Sequence, residues 1–156
     1  MKAVTLKEIK QELNTLSTDD VQELCLRLSR FKKENKELLT YLLFESHNEE
    51  RYIESVKSYI DEQFELINTS SYFYIRKSAR KILSNTKKYV RYSQNKETEV
   101  ALLLYFCQKL KDFSPSIIYS LQLQNMYNRQ LLLIKKLVAT FHEDLQYDFN
   151  LILEEL

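Results

Sequence analysis

The chain contains no glycine in 156 residues and a single proline, Pro115. Glycine ordinarily serves turns with positive φ, helix C-caps and close approach of backbone to a ligand. At an average usage of about 7%, roughly eleven would be present. Their absence removes Gly-rich phosphate loops, nucleotide-binding turns and hydrolase nucleophile elbows. Tight β-hairpins built on Asn-Gly or Asp-Gly go with them. A chain written this way is restricted to helices joined by short polar links.

The remaining composition is that of a folded protein, with 44% hydrophobic and 29% charged residues. A chain this long suits one domain, 1–156, burying about 68–70% of its unfolded surface. A secondary division would separate N-terminal helices, 1–47, from a longer-helix core, 48–156. The longest apolar run, Val100 to Cys107, falls well short of the ~20 residues of a membrane span. The amino terminus becomes amphipathic at once, without the apolar centre of a signal peptide. Cys25 and Cys107 lie on apolar helical faces without metal-ligand spacing. They are expected to be buried free thiols in a cytoplasmic protein.

Helix signals recur along the whole chain. Thr5 and Glu8 form a capping box ahead of Leu6, Ile9, Leu13 and Leu16. Ser17 to Asp20 stops that helix and caps the next, whose buried face is read as Val21, Leu24, Cys25, Leu28 and Phe31. Asn35 is positioned to cap a short third helix, and Asn48-Glu49-Glu50 opens a fourth that suits the positive end of the helix dipole. A fifth runs from Ser71 to about Tyr92, and a sixth from Lys96 to Asp112. Ser114-Pro115 reads as N-cap and first helical position. Beyond it the apolar spacing continues to Ile152, either as one long helix or as two broken near Gln124 to Asn128. The expected architecture is all-α, with about six to seven helices as antiparallel hairpins, in an irregular HEAT-like stack or a compact bundle.

The net charge of +1 conceals strong segregation. Residues 66–96 carry eight basic side chains and no acidic one, whereas 137–156 carry five acidic and no Lys or Arg. At about 100° per residue, Arg76, Lys77, Arg80, Lys81, Lys87, Lys88 and Arg91 fall within an arc of about 140° on the fifth helix. Ile75, Ala79, Ile82, Leu83, Thr86 and Val90 lie opposite. Tyr74 and Tyr92 border the basic arc. Solvated faces usually mix signs, because like charges at i,i+4 repel. A uniform stripe therefore calls for something that neutralises it. The candidates are the acidic C-terminal segment, plain solvation, an acidic protein partner, or nucleic-acid phosphate with aromatic stacking beside it.

Chemistry-bearing constellations are absent from the sequence. His47 and His142 belong to no His-Glu-x-x-His or Glu-x-x-His pattern, so no metal site is expected. The apolar neighbours of Cys25 and Cys107 argue against an activated thiolate. Asp19-Asp20, Glu49-Glu50 and Glu154-Glu155 sit at helix starts or at the terminus. No catalytic residue and no cofactor follows.

The stretches Thr5–Ser17, Val21–Leu28 and Lys33–Leu39, with Ala79–Leu83, Lys87–Val90 and Glu99–Phe106, resemble a family of all-helical bacterial proteins of unknown function. That family has a likeness to HEAT-type helical hairpins. The resemblance implies a small helical scaffold and supplies no site residues. The N-terminal pair of helices is also similar to the helix-extended-loop-helix of SAP-type DNA-binding modules. The sequence thus points to a non-enzymatic protein-interaction module whose contact face is the basic stripe with Tyr74 and Tyr92. The alternative is nucleic-acid backbone binding by the same residues. No membrane partner is expected.

Overall fold

The computed structural model describes all 156 residues, and every regular element is helical. Eight α-helices occur, so the expectation of six to seven was slightly low. They are α1 (Leu6–Leu13), α2 (Thr18–Phe31), α3 (Lys33–Thr40), α4 (Glu49–Glu65), α5 (Tyr72–Ser93), α6 (Lys96–Lys111), α7 (Leu121–Val138) and α8 (Glu143–Glu154). A π-helical turn, Tyr41–Glu45, and a 3-10 turn, Ile117–Tyr119, complete the chain. Two compact units result, Met1–Phe44 and Glu45–Leu156. No helix is long and apolar enough to cross a membrane.

In the first unit, the capping box forms as the spacing predicts. The Glu8 carboxylate accepts from the Thr5 amide at 2.8 Å, and the Glu8 amide donates to Thr5 Oγ1 at 3.3 Å. Ser17 Oγ accepts from the Asp20 amide at 3.1 Å to start α2. Asn35, however, does not cap α3, which begins two residues earlier. Its amide instead donates to Leu28 O at 2.8 Å and ties α3 to the end of α2. The larger correction concerns burial. No residue of α1, α2 or α3 is buried, and Leu28 and Phe31 are 59% and 76% exposed. Amphipathic spacing made these faces, but a unit this small has too little chain to enclose them.

The second unit has a true core, with α6 at its centre. Val100, Leu102, Leu103, Phe106, Cys107 and Leu110 are completely buried, so more than half of the circumference of α6 lies in the core. It packs against α4, α5 and α7, and α4 and α5 also pack on each other. Phe64 of α4 meets Phe106 and Phe113, each with ring centroids 5.8 Å apart. Glu49, expected to serve the dipole of α4, also joins three helices. Its carboxylate accepts from Ser93 at the end of α5 and from Thr98 of α6, the latter at 2.7 Å.

The C-terminal third departs from the expected boundaries. Ser114-Pro115 does not open a helix. Ser116 caps the short 3-10 turn, its carbonyl accepts from the Tyr72 hydroxyl at 2.8 Å, and α7 starts only at Leu121. The segment Gln124 to Asn128 stays helical because Leu123, Met126, Gln130 and Ile134 are buried along one face. Burial outweighs the weak helix propensity of Asn there. The break lies instead at Ala139–His142. Both the amide and the hydroxyl of Thr140 bond to Leu137 O, at 2.9 and 2.7 Å, which tightens and ends α7.

Candidate anion-binding face

Helix α5 buries Ile75, Ala79, Ile82, Thr86 and Val90, which turns its basic arc outward. Lys77, Arg80, Lys81 and Arg91 are exposed; Arg76, Lys87 and Lys88 are half-buried. No ion pair reaches Arg76, Lys77, Arg80, Lys81, Lys87 or Arg91. Their charges are instead set against aromatic rings or water. Arg76 lies 5.8 Å from the Phe73 centroid, and Lys88 lies 4.8 Å over Tyr89.

The two tyrosines of the expected site have different surroundings. Tyr74 is exposed and meets Phe73 edge-on at 5.4 Å, beside Arg76. Tyr92 sits at the other end of the helix, half-buried against Tyr89, which in turn packs on Tyr59. One ring is open to a ligand face, and the other belongs to an aromatic cluster.

The acidic C-terminal segment does not cover the stripe. Helix α8 packs against α7, and Phe141 and Phe149 stack at 5.7 Å. Phe149 and Ile152 face Ala101, Leu104 and Tyr105 of α6. The terminus is tied down by Lys111, donating to Glu155 O at 2.6 Å, and by the Tyr127 hydroxyl, donating to Leu156 O at 2.8 Å. The acids of α8 therefore do not serve as internal counterions for α5.

Composition and spacing overlooked two depressions along α5, one shared with α7 and the other with the start of α6 and Leu133 of α7. The first, about 320 Å³, is lined by Arg80 and Leu83 of α5 and by Met126, Arg129 and Gln130 of α7. The other, about 580 Å³, is lined by Lys87, Val90 and Arg91 with Lys96, Glu99 and Leu133. Five cations thus border the two, against one carboxylate; the floor beside Lys87 and Arg91 is mostly apolar, whereas that beside Arg80 and Arg129 is mixed, with Gln122, Asn125 and Gln130. Gln130 is buried there, and its Oε1 has no hydrogen-bond partner. The available signal was the absence of any acidic residue between Asp112 and Glu143, which makes α7 a second helix of one sign.

No cluster of three or more His, Cys, Asp or Glu side chains comes together to hold a metal. His47 and His142 are both exposed, and His142 Nδ1 lies 3.7 Å from Asp144. The thiols divide: Cys107 is buried, but Cys25 is exposed, contrary to its expected burial, because α3 is the one helix that packs extensively on α2 and does not enclose its apolar face. Cys25 lines an apolar groove of about 230 Å³ with Leu28, Leu38, Leu39 and Leu42 inside the first unit. Comparison with protein-family models, with curated proteins and with solved structures found no match to this chain.

Proposed function

We propose that the protein is a non-enzymatic helical interaction module that holds an acidic partner protein against the basic face of α5. The supporting observation is that Arg76, Lys77, Arg80, Lys81, Lys87 and Arg91 are free of ion pairs, on a chain whose own acidic segment is packed elsewhere. Like charges at i,i+4, such as Arg76/Arg80 and Lys87/Arg91, cost about 0.2–0.5 kcal/mol each in an isolated helix. A bound anionic surface reverses that sign. The successive helices α4 to α7 act as a scaffold of helical hairpins, with α6 as the rigid centre. Val90 and Leu133 beside Lys87 and Arg91 favour a protein over bare phosphate, because they reward side chains that bring both carboxylates and hydrocarbon.

Nucleic-acid backbone binding is the second reading, favoured by exposed Phe73 and Tyr74 beside Arg76. Fluorescence anisotropy separates the two, using a labelled polyglutamate peptide and labelled duplex DNA, single-stranded DNA and RNA at about 50 and 200 mM salt. The peptide is expected to bind, and to bind more weakly to the Lys87→Gln/Lys88→Gln/Arg91→Gln variant. Affinity for oligonucleotides alone, with a steep salt slope, overturns the protein reading. Absence of binding to any of the four probes at low salt removes the face as an anion site.

A further inference from the structure

Helix α8 and the residue after it carry an outward acidic face. At about 100° per residue, Glu143, Glu154, Tyr147, Leu151, Asp144, Glu155 and Asp148 fall within an arc of about 140°. All seven are exposed. Tyr147 and Leu151, 66% and 47% exposed, form the middle of that arc and carboxylates flank them on both sides. The depressions beside α5 offer complementary groups, Val90 and Leu133 between Lys87, Arg91 and Lys96, and Leu83 and Met126 between Arg80 and Arg129.

We propose that the two depressions beside α5 act as one groove, which receives the outward face of α8 from a second copy of this chain. The inference rests on the reading of the basic face as a contact for acidic protein, and it names the protein. Three relationships carry it. Charge matches: residues 143–156 carry five carboxylates and no Lys or Arg, while Arg80, Lys87, Arg91, Lys96 and Arg129 face one Glu99. Length matches: twelve residues of α8 span about 18 Å, and Arg80 to Arg91 spans about 17 Å along α5. The helix is also held within its own copy by Lys111 and Tyr127, so the seat in the groove is open to another molecule's α8.

Groove and α8 are different surfaces, so the contact is heterologous and generates rings or open chains rather than a single two-fold dimer. One helix face in one groove lies at the small end of interface sizes, below about 1,200 Å². Association is therefore expected to be weak and strongly reduced by salt.

Sedimentation velocity tests the proposal on the full chain, up to a few hundred micromolar, at about 50 and 500 mM salt. Reversible self-association at low salt is expected, and dissociation at high salt. Arg80→Glu/Arg129→Glu and Asp148→Lys/Glu154→Lys/Glu155→Lys are each expected to weaken it at least about tenfold, since every substituted side chain is exposed. Mixing the two charge-reversed proteins joins a native groove to a native α8 in only one direction. Combining both sets in one chain restores opposite charges across the contact and is expected to recover association. A monomer at low salt overturns the proposal. So does association indifferent to salt and to both variants, which assigns self-contact to the exposed apolar helices of the first unit. Oligomers that form only with oligonucleotide present overturn it as well. Polyglutamate binding by a monomeric protein removes this inference alone, whereas loss of both removes the reading beneath it.

Discussion

The Tyr105 hydroxyl of α6 lies within hydrogen-bond distance of both carboxylate oxygens of Asp61 on α4, at 2.8 and 2.7 Å. Lys109 reaches the same carboxylate at 2.8 Å. Partial burial works to raise the Asp61 pKa, but the hydrogen bonds from Lys109 and Tyr105, with the charge of Lys109, hold it below the ordinary carboxyl value. Tyr105 moves the other way. Burial, the bond to Asp61 and the negative charges of Asp61 and Glu54 push it up to about 12.

These opposite shifts predict a plateau of stability. A lowered acid contributes above its unfolded value, near pH 4, and its contribution disappears as pH falls through the lowered one. A raised phenol contributes below about pH 10 and loses its contribution as pH climbs toward 12. Urea unfolding of wild type and Tyr105→Phe checks this between about pH 3 and 11. The variant is expected to cost roughly 0.5–1 kcal/mol near neutrality, at the low end because Asp61 is partly exposed. The difference is expected to narrow at both extremes. A difference constant across the whole range contradicts the coupling.

Gln94 predicts a gain. It ends α5 in the left-handed region, at φ 56°, the one such residue in a chain that has no glycine to place there. A residue with a Cβ is disfavoured in that conformation by about 1–2 kcal/mol. Gln94→Gly is expected to raise stability by roughly 0.5–1 kcal/mol, after the extra backbone freedom of glycine in the unfolded chain is subtracted. Thermal unfolding reads the change, and a lower midpoint would show that the Gln94 side chain contributes more than its backbone costs.

The same cap shows why the sequence was readable where it was. Lack of glycine announced helices, and the spacing of Ile75, Ala79, Ile82, Thr86 and Val90 gave the orientation of α5 before any contact was known. Caps written in adjacent residues, such as Thr5 with Glu8, were equally legible because their partners are three positions apart. What escaped depends on distant chain. Cys25 looked buried because periodicity records which face is apolar, not whether anything covers it. Ser114-Pro115 looked like a helix start because nothing adjacent shows that the next residue, Ser116, is tied to Tyr72, forty-four positions before it. Arg129 escaped because only tertiary packing brings it beside Arg80.

Lys81 separates stability from binding. Lys77 and Lys81 are exposed like charges at i,i+4, and neither has an acidic partner. Lys81→Glu converts repulsion into attraction, and stability is expected to rise by about 0.3–0.8 kcal/mol at low salt. Polyglutamate affinity is expected to fall at the same time. A variant both more stable and equally tight in binding would exclude Lys81 from the contact face.

The two cysteines should report the two units independently. Cys107 is fully buried, and burial pushes its thiol up to about 12, with the charge of Lys87 opposing only in part. The thiolate is the reactive form, so Cys107 is shielded both by lack of access and by lack of ionisation. Cys25 is exposed on α2 beside Leu28. Native protein treated with a thiol-specific reagent at pH 8 is expected to modify one equivalent promptly, and the second only at the rate at which the Glu45–Leu156 unit opens. The Cys25→Ser variant removes the fast phase and leaves the slow one. Two fast equivalents would mean that α6 is not the closed centre of the second unit. Two slow ones would mean that α2 finds a cover in solution, and the exposed apolar faces of α1 to α3 would then be a contact surface in their own right.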